Sequence, residues 1–195
     1  VHGLNGCMDA QHIWWLVPGV LAAGYSLLRV NMRGAGPGRK LARGTYNAGA
    51  GSDLIPFIEA AAEADPEVPL FMMAHSLGGT AALNMALDFP QAAARLAGLV
   101  TIGTPLDMVA TARQFSSPRN ALYVRYMLAG LKDIAATAPG LAKHYRDAAA
   151  GARSIYAFDD LVTAPLAGYP DSAAYYAATS VHQRMDDLAV PTLVL

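Results

Sequence analysis

The stretch Leu70-Phe71-Met72-Met73-Ala74-His75-Ser76-Leu77-Gly78-Gly79-Thr80 changes character at one residue. Up to His75 it is a short apolar run without helical spacing, and residues 77–89 read as a helix, so Ser76 falls on a strand-to-helix turn. Such a turn lifts a serine hydroxyl above the sheet edge only if the backbone bends sharply. The bend needs small neighbours two before and two after the serine, here Ala74 and Gly78. This is the pattern of a nucleophile elbow. Backbone N–H groups at the start of the following helix point at the position where negative charge develops on a reacting carbonyl, and Leu77 N–H is the donor expected there.

A second piece opens the chain: His2-Gly3-Leu4-Asn5-Gly6. Where an elbow of this kind is catalytic, a turn after an earlier strand supplies the other oxyanion donor, and Leu4 N–H is expected in that role. The alternative reading of the first piece is that Ser-x-Gly-Gly merely joins a strand to a helix.

The 195 residues suffice for one domain with a substantial core, and 54% hydrophobic with 15% charged residues suits a buried α/β sheet. Fourteen Lys and Arg against fifteen Asp and Glu give a formal charge of -1, which argues against a nucleic-acid partner. Apolar stretches fall short of the roughly 20 residues a membrane-spanning helix needs. Cys7 is the single cysteine, so neither an intramolecular disulfide nor a Cys-based metal site is expected, and the composition reads as cytosolic. The chain opens Val1-His2-Gly3 without an initiator Met and stops inside the apolar run 190–195. It is expected to be an internal fragment.

Residues 11–23 carry apolar positions at near-helical spacing interrupted by Pro18. Residues 26–32 read as a strand before the glycine-rich loop 33–38, which lacks the Gly-Lys-Ser/Thr of a phosphate cradle. Ser52 is expected to cap a helix over 53–64 that Asp65-Pro66 ends. Strands over 68–74 and 97–103 flank the helix after Ser76. The alternation argues a mostly parallel sheet covered by helices on both faces, with N- and C-terminal strands missing. Between residues 106 and 187 the strand pattern gives way to helical spacing with scattered tyrosines, which predicts a helical cap over the C-terminal sheet edge. The expected division is 1–105 core, 106–187 cap and 188–195 returning strand.

A serine nucleophile needs a histidine base, and the base needs a carboxylate. His75 adjoins Ser76, but side chains of neighbouring residues on a sharp turn point apart. His2 belongs to the oxyanion turn, and His12, His144 and His182 fall on expected helices. Asp159-Asp160 is read as an extended pair with a structural role, because adjacent carboxylates on an extended segment point oppositely. The triad Asp and His are therefore expected to lie outside this chain.

Taken together, His2-Gly3-Leu4-Asn5-Gly6, Asn31-Met32-Arg33-Gly34-Ala35-Gly36, Ser76-Leu77-Gly78-Gly79 and Phe158-Asp159-Asp160-Leu161-Val162-Thr163-Ala164-Pro165, with Gly168-Tyr169 and Tyr175-Tyr176, resemble the YheT-like esterases of the α/β-hydrolase superfamily. The resemblance spans essentially the whole chain, and the run from Phe158 is its most specific part. It implies an α/β-hydrolase fold and a cofactor-free serine carboxylesterase or lipase-like hydrolase. The implied substrates are short- to medium-chain acyl esters or lipid esters, with Ser76 as nucleophile and the triad Asp and His following the strand near Leu195. Ala74 replaces the usual Gly, and Thr80 stands where Asn is common. The rival readings are a non-catalytic scaffold that binds an acyl ligand or partner, and another acyl chemistry such as thioester hydrolysis.

Overall fold

The computed structural model describes residues 1–195. Its elements in chain order are α1 (Gln11–Ala22), α2 (Ile55–Ala64), β1 (Leu70–His75), α3 (Leu77–Asp88), α4 (Pro90–Ala93), β2 (Leu96–Ile102) and α5 (Met108–Phe115). There follow α6 (Ala121–Thr137), α7 (Lys143–Gly151), α8 (Ile155–Phe158), a π-turn (Asp159–Thr163), α9 (Ala164–Leu166), α10 (Ser172–Thr179) and β3 (Thr192–Val194). No helix is long and apolar enough to cross a membrane.

The three strands form one parallel sheet in the order β1-β2-β3, flanked by helices as expected of an α/β chain. Register pairs Met72 with Leu99, Ala74 with Thr101 and Leu99 with Thr192. One face is sealed by α3, so Ala74, Leu99 and Thr101 are buried. Successive side chains alternate between faces. Phe71, Met73 and Leu193 therefore lie on the other face, which α1 approaches only at the His75 end, through a His12–His75 ring contact at 5.0 Å. Phe71 stays 52% exposed and leans on Tyr25.

Helix α3 is buried from Leu77 to Ala86 without a solvent face. A helix enclosed on all sides loses its amphipathic stripe, and the small residues Gly78, Gly79, Ala81 and Ala82 let neighbouring backbone come close. Buried Asn84 fixes its position by donating to Ala48 O at 3.2 Å and to Thr179 O at 2.9 Å.

Four local expectations are corrected. Residues 26–32 form no strand, because a ladder needs a neighbour and no strand runs alongside them. Their backbone instead meets a side chain, with Met32 N–H donating to His2 Nε2 at 3.0 Å. Ser52 caps nothing: it lies inside the 3-10 turn Ala50–Leu54, and α2 begins after it with Leu54 at the cap position. Asp159-Asp160 is not extended but opens the π-turn, so its two carboxylates are offset around a helix axis. His182 follows α10 in a turn rather than lying on a helix.

Apolar burial divides into two clusters. The first surrounds α3 and the sheet and takes in Ala164, Tyr175, Tyr176 and Val181. The second joins Met127, Leu128 and Leu131 of α6 to Ala149, Phe158 and Val162. Leu4 packs against both.

Candidate active site

Ser76 sits between β1 and α3 with φ 50° and ψ −128°. That is a glycine-like conformation, costing a side-chain-bearing residue about 1–3 kcal/mol. The surroundings hold it there. Ser76 N–H donates to Ile102 O at 2.9 Å, extending the β1–β2 ladder, and Ser76 O accepts from Gly79 N–H at 2.8 Å. Three glycines allow the approach. A Cβ on Gly3 would lie 2.7 Å from Ser76 Cβ, one on Gly78 would strike His2 O, and one on Gly79 would strike the Thr104 side chain.

The turn at residues 2–6 is fixed by its own polar groups. Gly3 O accepts from His2 Nδ1 at 2.8 Å, from the Tyr46 hydroxyl at 2.8 Å and from Gly6 N–H at 3.1 Å. Because His2 Nε2 accepts from Met32 N–H, the imidazole proton resides on Nδ1. Both ring nitrogens are thus committed to backbone. Burial pushes His2 down to about 4, so it is neutral near pH 7. Asn5 takes φ 60° and donates through Nδ2 to Met127 O at 2.7 Å, tying the turn to α6.

Leu4 N–H and Leu77 N–H, from the two turns, donate to no group of the protein. Both residues line the same cavity as Ser76. The cavity is about 70 Å³ and largely apolar, walled by Phe115, Met127, Leu131 and Ile134. Ser76, Leu4 and Leu77 thus line one largely apolar chamber. No histidine lines it. His75 turns away against His12, and burial lowers its pKa. No cluster of three or more His, Cys, Asp or Glu side chains is placed to hold a metal ion.

One group at this cavity was missed by the reading of the sequence. Asp159 is buried in the wall and its Oδ2 accepts from the Tyr176 hydroxyl at 2.6 Å. Burial pushes its carboxyl up to about 6, against the opposing pull of the Tyr176 and Thr163 hydroxyls. Its neighbour Asp160 does the structural work foreseen for the pair, accepting from Ser172 N–H at 2.9 Å and Ser172 Oγ at 3.0 Å at the start of α10.

The model for the family described as alpha/beta hydrolase fold matches residues 1–195. A curated protein of Escherichia coli (strain K12), named "Putative esterase YheT", is 26% identical over 202 residues, covering 100% of this chain. The chain spans 58% of that relative's length. The full-length family match agrees with the parallel sheet and with the bend at Ser76, and the similarity to the Escherichia coli protein makes the resemblance YheT-like: the chain belongs to the α/β-hydrolase fold family.

Proposed function

We propose that the protein is a carboxylic ester hydrolase working through an acyl-enzyme on Ser76. The observation that carries this is the strained Ser76 turn, which faces an apolar cavity with two uncommitted backbone donors, Leu4 N–H and Leu77 N–H. Strain of this kind persists where a hydroxyl must be held away from its own backbone, and free N–H groups at a helix start suit a developing oxyanion. The hydrolase family and the esterase named among the relatives support the same chemistry.

In the proposed reaction Ser76 Oγ loses its proton to a histidine and attacks the ester carbonyl. Leu4 and Leu77 N–H groups stabilise the tetrahedral oxyanion. The C–O bond to the alcohol breaks as the histidine returns the proton to the alcohol. Water then attacks the acyl-serine by the same route, releasing the acid and restoring the hydroxyl. The histidine and its carboxylate partner belong to chain outside residues 1–195. Residues 106–187 act as the cap that shapes the acyl chamber over the core of residues 1–105, and residues 188–195 return to the sheet.

The test is hydrolysis of 4-nitrophenyl acetate, butyrate and octanoate by the full-length protein and its Ser76→Ala variant. Loss of at least a thousandfold in kcat/KM on Ser76→Ala is expected. Retained turnover in the variant overturns the role of Ser76. A folded wild type inert toward both oxygen esters and thioesters favours the scaffold reading, to which the absence of a histidine from the cavity wall corresponds.

A further inference from the structure

The cavity beside Ser76 is apolar except for a few groups, and Asp159 is the only ionisable carboxylate among them. Placing a carboxylate in such a wall is costly unless its acceptor positions are filled. An ionised carboxylate offers about four lone-pair sites over its two oxygens. The Tyr176 hydroxyl fills one at 2.6 Å, and the Thr163 hydroxyl also favours the ionised form, which leaves capacity for a further donor. Both carboxylates join the π-turn to α10, Asp159 through Tyr176 and Asp160 through Ser172, and what sets Asp159 apart is that it also lies in the cavity wall with acceptor capacity beyond these bonds. Tyr175 makes no hydrogen bond to Asp159; its hydroxyl oxygen accepts from Ala48 N–H at 2.9 Å.

We propose that Asp159, held by Tyr176, is a specificity-determining group of the Ser76 cavity that binds a hydroxyl on the substrate, so that the preferred esters carry a hydroxyl in the acyl or alcohol portion. The proposal rests on the reading of this cavity as an ester site. A hydroxyl fits better than an ammonium: a single carboxylate in an apolar wall repays the modest desolvation of a neutral donor but not that of a cation. The carboxylate is an acceptor when ionised, and with its pKa near 6 that form prevails at pH 7.5. Substrates lacking the hydroxyl leave the group unpaired in the closed complex, which is how a polar site rejects them.

The experiment measures affinity without turnover. In full-length Ser76→Ala protein, calorimetry at pH 7.5 compares ethyl hexanoate with ethyl 3-hydroxyhexanoate and 2-hydroxyethyl hexanoate. At least one hydroxy ester is expected to bind about tenfold more tightly than ethyl hexanoate. Adding Asp159→Leu should abolish that preference and tighten ethyl hexanoate, because no carboxylate is then left unpaired, while Asp159→Asn should cut the preference several-fold. Equal affinity for all three esters overturns the proposal, as does a preference unchanged in Asp159→Asn. The Asn variant keeps shape and an acceptor for Tyr176, so it decides the matter even if the Leu variant fails to fold. Hydrolysis of ethyl hexanoate by the wild type, without any preference that depends on Asp159, would sink this inference and leave the esterase reading standing. Hydroxyl-selective binding without hydrolysis would do the reverse.

Discussion

His2 is neutral in the fold because burial holds its imidazole near 4, against an ordinary value of 6.5. The folded chain then binds fewer protons at this site than the unfolded chain between those values. Stability is lost as pH falls through that window, by about 3 kcal/mol in all. Asp159 has the opposite sign. Its carboxyl is raised from 3.8 to about 6, so the folded chain holds the extra proton, and stability is lost as pH rises through that range. The two slopes oppose each other between pH 4 and 6. Asp159→Asn should therefore raise stability above pH 6 by about 1–3 kcal/mol, leave it unchanged near pH 4, and unmask the climb due to His2. Urea unfolding at pH 4, 5.5 and 7 checks this, and a flat profile in the variant would contradict it. Ser76 is read the same way. Ala and Gly at this position both lose the hydroxyl, but only Gly tolerates φ 50° with ψ −128°, so Ser76→Gly should be more stable to urea than Ser76→Ala by about 1 kcal/mol.

At the scale of elements, α3 sets two effects of one substitution against each other. Gly to Ala inside a helix is worth about 1 kcal/mol of added stability by propensity. At Gly78 the new Cβ would meet the carbonyl of His2, which the fixed turn at residues 2–6 prevents from moving aside. Overpacking costs about 1–3 kcal/mol and prevails, so Gly78→Ala should lower stability and, by displacing the turn that carries Leu4, lower the ester turnover proposed for Ser76 as well. Thermal unfolding with parallel rate measurements tests both halves. The elements legible in the sequence share a property: β1, α3 and β2 are bounded by abrupt changes of period, and local chemistry decides them. Residues 26–32 have strand composition, but a strand exists only beside another, and sequence composition does not reveal the neighbour. Ser52 is a good cap residue overridden by a tight turn into α2. The short helices from Ile155 to Thr179 are too brief for a 3.6-residue pattern, so the sequence carries no signal that Asp159 lies on a helical turn in the cavity wall.

Across the whole molecule, the candidate site lies where the two apolar clusters meet, and Leu4-Asn5 is the chain that touches both. Leu4 packs against each cluster, and Asn5 crosses between them through its bond to Met127 O in α6. Gly130 leaves room for that crossing, since a Cβ there would collide with the Asn5 amide. Sequence pattern predicts an oxyanion role for the turn, but its tether to α6 depends on a partner 122 residues away. Replacing Asn5 by Gly keeps the positive φ at no steric cost and deletes only the tether, so the change isolates coupling between the clusters from strain. A buried hydrogen bond contributes about 1 kcal/mol net, and amides of α6 should then exchange about fivefold faster while those of β1, β2 and α3 keep their protection. If α6 and the sheet lose protection in equal measure, the two clusters unfold as one unit, and Asn5 is a stabilising contact rather than the coupling between them. If only α6 loosens, the α6 wall of the cavity moves independently of the Ser76 turn, and Asn5 is the bond that couples them.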